Sequence, residues 1–77
     1  MAVLQSTEYT IIFKDNTKAY EKYGGEFITE DIDEADEIFA ENKEQVEQYY
    51  TKRWVLESFN DKDWKEDYVE VYYSNIN

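Results

Sequence analysis

Tyr9, Ile11 and Phe13 alternate with Thr10, Ile12 and Lys14, and this period of two predicts a β-strand with one apolar face. Asp15-Asn16-Thr17 then reads as a turn, because Asp and Asn side chains hydrogen-bond their own backbone. Lys18 to Tyr23 is assigned as a returning strand, broken at Gly24-Gly25. Glu26 to Thr29 either continues that strand or leads into the next element.

The period changes after Glu30. Asp31 can accept a hydrogen bond from the backbone N–H of Glu34, and Glu34 can reach back, a carboxylate version of the capping box. At 100° per residue, Ala35, Ile38, Phe39, Val46, Tyr49 and Tyr50 share a sector of about 120°, with Asn42 inside it. A helix is therefore expected from Asp31 to Arg53, its last turn holding Lys52 and Arg53 where cations complement the dipole. Trp54 to Phe59 follows as a strand, Asn60 to Asp63 as a turn, and Trp64 to Tyr73 as a longer strand. In that last strand Tyr68, Glu70 and Tyr72 face one way, and Val69, Val71 and Tyr73 the other. The expected fold is α+β: a β-β-α-β-β order, with an antiparallel sheet of about four strands and one amphipathic helix on one face.

Seventy-seven residues make a single domain, 1–77. A chain of this size buries about 63% of its extended surface, enough for one sheet under one helix, with little room for an enclosed substrate cleft. A homodimer is one way to extend such a core. The chain contains no His, Cys or Pro, so disulfides, thiolate metal sites and a cysteine nucleophile are absent together. Met1 to Thr7 lacks the pattern of a signal peptide, and no segment approaches the roughly 20 apolar residues of a membrane helix. Cytoplasm is the expected compartment, with no membrane partner.

Charge narrows the function classes further. Nineteen acids oppose eight bases, a formal net charge of -11, while 18% of residues are aromatic, which argues against disorder. Lys14, Lys18 and Lys22 form the one basic patch and are interrupted by Asp15 and Glu21, so no direct nucleic-acid binding is expected. Asp33-Glu34-Ala35-Asp36 spells the string of a nucleic-acid helicase, but it opens a helix and no phosphate loop accompanies it. A calcium loop counted from Asp31 would need Gly where Asp36 stands and Glu where Asn42 stands. With no His to act as base and no arrangement of carboxylates around a cleft, neither an enzyme nor a bound cofactor or metal is expected.

Nine carboxylates fall between Glu30 and Glu47, with Lys43 the single base among them. On the expected helix Glu34, Glu37, Glu41 and Glu44 form a stripe of about 80°, and Glu47 follows one turn on. Successive members lie about 5 to 6 Å apart, comparable with phosphates along a DNA strand. The plain alternative is a solvated face whose first acids favour the helix N-terminus. Eight tyrosines raise a second possibility, that Tyr68 and Tyr72 with neighbouring acid form an exposed contact patch.

In its size, acidity and Tyr-rich makeup, carried by the segment Glu30 to Glu47, the chain resembles small phage-encoded inhibitors of host defence, anti-CRISPR proteins and other DNA mimics. The resemblance implies a non-enzymatic inhibitor in the host-cell cytoplasm, bound to a nucleic-acid-binding protein with a basic groove. Glu34, Glu37, Glu41, Glu44, Glu47, Tyr68 and Tyr72 are the candidate partner-binding residues. An antitoxin or immunity protein neutralising a basic nuclease, or a structural or assembly module, are the alternatives.

Overall fold

The first strand, β1, spans Leu4–Phe13 in the computed structural model, which describes residues 4–56 and 64–75. The turn expected at Asn60 to Asp63, and the end of the preceding strand at Phe59, lie outside the described residues. β1 stops where Asn16 takes a left-handed φ of 66°, a conformation Asn tolerates, with its N–H bonded to Asp15 Oδ1 at 3.0 Å.

The segment expected as a returning strand is instead a short helix, α1 (Lys18–Tyr23). Local chemistry at both ends decides this. Thr17 Oγ1 accepts from the Tyr20 N–H at 3.1 Å, and Gln45 Oε1 accepts from the Ala19 N–H at 2.9 Å. Gly24, at φ 73°, closes the helix in the left-handed region. Ala19 and Tyr23, four residues apart, turn the same face to the sheet, where Tyr23 stacks on Phe13 at 5.1 Å between centroids. The returning strand is β2 (Glu26–Thr29), antiparallel to β1 with Tyr9 opposite Thr29 and Ile12 opposite Glu26.

The main helix, α2 (Ile32–Asn42), starts where expected. Asp31 Oδ1 accepts from the Asp33 N–H at 2.9 Å and the Glu34 N–H at 3.5 Å. The reciprocal half of the capping box is filled by Thr29, whose Oγ1 accepts from the Asp31 N–H at 3.1 Å. The helix ends eleven residues short of the expected Arg53. Asn42 Nδ2 folds back onto the Ile38 carbonyl at 2.9 Å, Lys43–Gln45 form a single 3₁₀ turn, and the chain enters β3 (Val46–Leu56).

Val46, Tyr49, Tyr50, Lys52 and Arg53 are thus strand residues, and their apparent helical spacing has a specific cause. Phe13 pairs with Val46 and Ile12 with Gln48, so Glu47 is an extra residue, a β-bulge. The bulge puts Val46 and Tyr49 on the same face although they are three residues apart, a spacing that mimics a helix. Val46, Tyr49 and Thr51 are buried, as a half-covered strand requires.

β3 pairs antiparallel with β1 and with β4 (Trp64–Ser74), giving a four-stranded antiparallel sheet in the order β2-β1-β3-β4. Both helices lie on one face. There Ile11, Phe13, Ala19, Ala35, Val46 and Tyr49 form the core, flanked by Tyr9, Tyr23, Phe27, Ile38, Phe39 and Tyr73. Fully burying Phe13, Ile11 and Val46 contributes about 1.5 to 3 kcal/mol each.

β4 departs from strict alternation at two further bulges, opposite Tyr49/Tyr50 and Arg53/Trp54, where Tyr72 and Asp67 are the extra residues. The first corrects the expected facing of Tyr73. Tyr72 meets the Tyr49 ring at 4.9 Å and Tyr73 meets the Phe39 ring at 5.2 Å, so both lie on the helix side. Val69 and Val71 are left exposed.

Candidate partner-binding surface

Most of the exposed residues of α2 are acidic, with Ile32 and Ala40 the others. Asp33, Glu34, Asp36, Glu37 and Glu41 are all exposed, whereas Ala35 is buried and Ile38 and Phe39 are half-buried. Five carboxylates on an eleven-residue helix average one per about 3.3 Å of axis, close to the about 3.4 Å per phosphate on one strand of duplex DNA. Glu34, Glu37 and Glu41 fall within about 60° of one another around the helix.

Glu44 and Glu47 do not continue that stripe, because the helix ends before them. Glu44 sits on the 3₁₀ turn, whose tighter winding rotates it off the α-helical row. With Glu41 and Lys43 it lines a shallow depression of about 300 Å³ at the end of α2. Glu47 is the bulged residue of β3, exposed, and its carbonyl accepts from the Asn75 N–H at 2.7 Å.

Tyr68 and Tyr72 lie on the edge strand β4, and each is 45% exposed, so nearly half of each side chain is open to a partner. Tyr68 lies beneath the Arg53 guanidinium, 5.5 Å from the ring centroid. The Arg53 Nε–H donates to Asp67 Oδ2 at 2.9 Å, so the bulge at Asp67 holds Arg53 against Tyr68. Glu70 stands between the two tyrosines in the chain. Desolvation first, and then the Glu70 carboxylate, push the Tyr72 phenol up to about 12.

The acid of α2 and the tyrosines of β4 are joined through Tyr49. Its hydroxyl donates to Asp36 Oδ1 at 2.8 Å, and its ring touches Tyr72. Burial first, and then the Asp36 carboxylate, raise the Tyr49 phenol well above the ordinary tyrosine range, so it remains a donor. Asp36 is therefore the carboxylate of α2 nearest Tyr72, while Glu34, Glu37 and Glu41 lie about 100 to 160° further around the helix. Asp36 escaped the sequence reading because its partner lies thirteen residues away on β3, a contact without local signature.

Few ion pairs offset the acid of the described residues. Among the described residues the Arg53–Asp67 pair is the single ion pair, while Lys22 and Lys52 lie over the rings of Tyr23 and Tyr50 at 5.2 and 5.6 Å. No group of three or more acidic residues among those described is placed to hold a metal ion, and no described helix is long and apolar enough to cross a membrane. The carboxylates of α2 are thus spread along a surface, an arrangement suited to binding an extended cationic one. No protein-family model, curated protein or solved structure matches the chain.

Proposed function

We propose that the protein is a non-enzymatic acidic inhibitor that occupies the basic nucleic-acid-binding groove of a target protein, in the manner of phage anti-defence or anti-CRISPR proteins that mimic DNA. The observation that carries this reading is the exposed face of α2 on which Glu34, Glu37 and Glu41 follow one another about 5 to 6 Å apart, in no ion pair among the described residues. Glu34, Glu37 and Glu41 stand in for successive phosphates, and Glu44 extends the negative field past the helix end. Tyr68 and Tyr72 supply aromatic contact area beside the acid, as residues that dominate protein interfaces do. The net charge of -11 speeds encounter with such a groove and repels nucleic acid.

Competition tests this reading. The protein is immobilised, its partner is captured from a lysate of the host cell, and the purified partner is challenged with duplex DNA or RNA. The inhibitor should displace nucleic acid from the partner stoichiometrically, while naked duplex alone gives no mobility shift with the inhibitor. A partner that holds nucleic acid and this protein simultaneously, without loss of affinity for either, would contradict mimicry.

A further inference from the structure

The face of the sheet turned away from α2 carries a second feature. Strand alternation from the buried Ile11 places Ser6 and Glu8 of β1 there, and the register puts Trp54 opposite Ser6 and Lys52 opposite Glu8. Trp64 of β4 lies opposite Leu56, one strand over. Ser6, Glu8, Trp54 and Trp64 together line an open groove of about 410 Å³. That volume is in the range of small-molecule sites, which runs from about 300 to 1,000 Å³.

We propose that this groove is a binding site for the arginine side chain of a partner protein. Two indoles line the groove, the ring type that attracts cations most strongly, and Trp64 keeps 37% of its surface exposed. The Glu8 carboxylate makes no ion pair among the described residues. Its cross-strand neighbour Lys52 is drawn instead over the Tyr50 ring, 5.6 Å from the centroid. The groove thus combines indole walls, a carboxylate that makes no ion pair among the described residues, and the Ser6 hydroxyl. A guanidinium is planar, stacks on indole, and has several N–H donors for acceptors such as Glu8 and Ser6. An ammonium is more strongly hydrated and cannot stack, so arginine fits this chemistry better than lysine. The groove is on the opposite face from the acidic helix, so the inference stands or falls independently of the function proposed above.

The chain has two tryptophans, and both line the groove, so intrinsic fluorescence reads occupancy directly. The intact protein is titrated at constant ionic strength with N-acetyl-argininamide and with its neutral isostere N-acetyl-citrullinamide. A saturable emission change with the arginine compound is expected, with the citrulline compound binding about tenfold more weakly because it lacks the charge. Glu8→Gln, checked for folding by circular dichroism, should lose about the same factor for arginine and leave citrulline binding unchanged. Equal affinity for the two compounds, or a non-saturable response matched by sodium chloride, would overturn the proposal. The isostere comparison uses the natural chain and so remains decisive even where the variant fails to fold.

Discussion

The Tyr49 hydroxyl donates to Asp36 Oδ1 at 2.8 Å, fastening the acidic helix to the central strand of the sheet. One bond thus serves two ends. It neutralises none of the charge on α2, but it fixes which side of the helix faces Tyr72 and which faces solvent. The rings of Phe39 and Tyr73 pack beside it and hold the same junction from the apolar side.

Removing that hydroxyl has a pH signature. Tyr49→Phe should cost about 1 kcal/mol at neutral pH, or a fall of about 4 to 8 °C in Tm, with the exposed Asp36 returned to water. The folded protein holds the Tyr49 proton more tightly than the unfolded chain, whose tyrosines titrate near about 10. The stabilisation is therefore whole below about pH 10 and is lost as pH rises toward the folded value. Thermal melts of both proteins across alkaline pH should show their Tm difference narrowing above about pH 10. A difference that widens there would contradict the assigned bond. Tyr72, raised to about 12, adds to the alkaline loss in both proteins.

Salt should stabilise the free protein. With a net charge of -11 and one exposed ion pair among the described residues, repulsion outweighs specific attraction. Raising monovalent salt from low to physiological concentration shortens the Debye length to about 8 Å and should raise Tm. A steady fall in Tm over that range would mean that attractive pairs dominate.

Phe39 contacts both Tyr49 and Tyr73, so Phe39→Ala removes the apolar clasp between α2 and the sheet. Because the ring is half-buried, a cost of about 3 kcal/mol is expected, the lower end for Phe truncation. Urea denaturation should show a lower midpoint with an unchanged slope. A loss under about 0.5 kcal/mol would place Phe39 outside the packed interface.

Much of the fold was legible in the sequence. The alternation of Tyr9, Ile11 and Phe13 marked β1, Asp31 marked the start of α2, and Trp64 to Tyr73 outlined β4, because each follows a regular period with ordinary punctuation. Two segments were misread for identifiable reasons. Lys18–Tyr23 is short and its helix depends on Thr17, Gly24 and the distant Gln45, which supplies an acceptor from twenty-six residues away. The bulge at Glu47 gave Val46 and Tyr49 a helix-like spacing of three, extending the expected helix across a strand. The candidate surface followed the same division. Glu34, Glu37 and Glu41 share a helix face as read, and Tyr68 and Tyr72 share a strand face with Glu70 between them. Glu44 and Glu47 lie beyond the true helix end, where the acidic row no longer applies.

The acidic face of α2 is tested most directly by the rate at which the protein meets its captured partner. Glu34→Gln, Glu37→Gln and Glu41→Gln together remove three charges from one helix face while leaving the core residues Ala35, Ile38 and Phe39 untouched. Gln has nearly the helix propensity of Glu, so the variant should fold, with a Tm equal to or slightly above that of the natural protein. Stopped-flow association with the partner is measured for both proteins as a function of ionic strength. The variant should associate about tenfold more slowly at low salt, with the difference shrinking as salt rises, because steering by charge is screened. A folded variant that associates as fast and binds as tightly as the natural protein at every salt concentration would contradict a phosphate-mimicking role for α2.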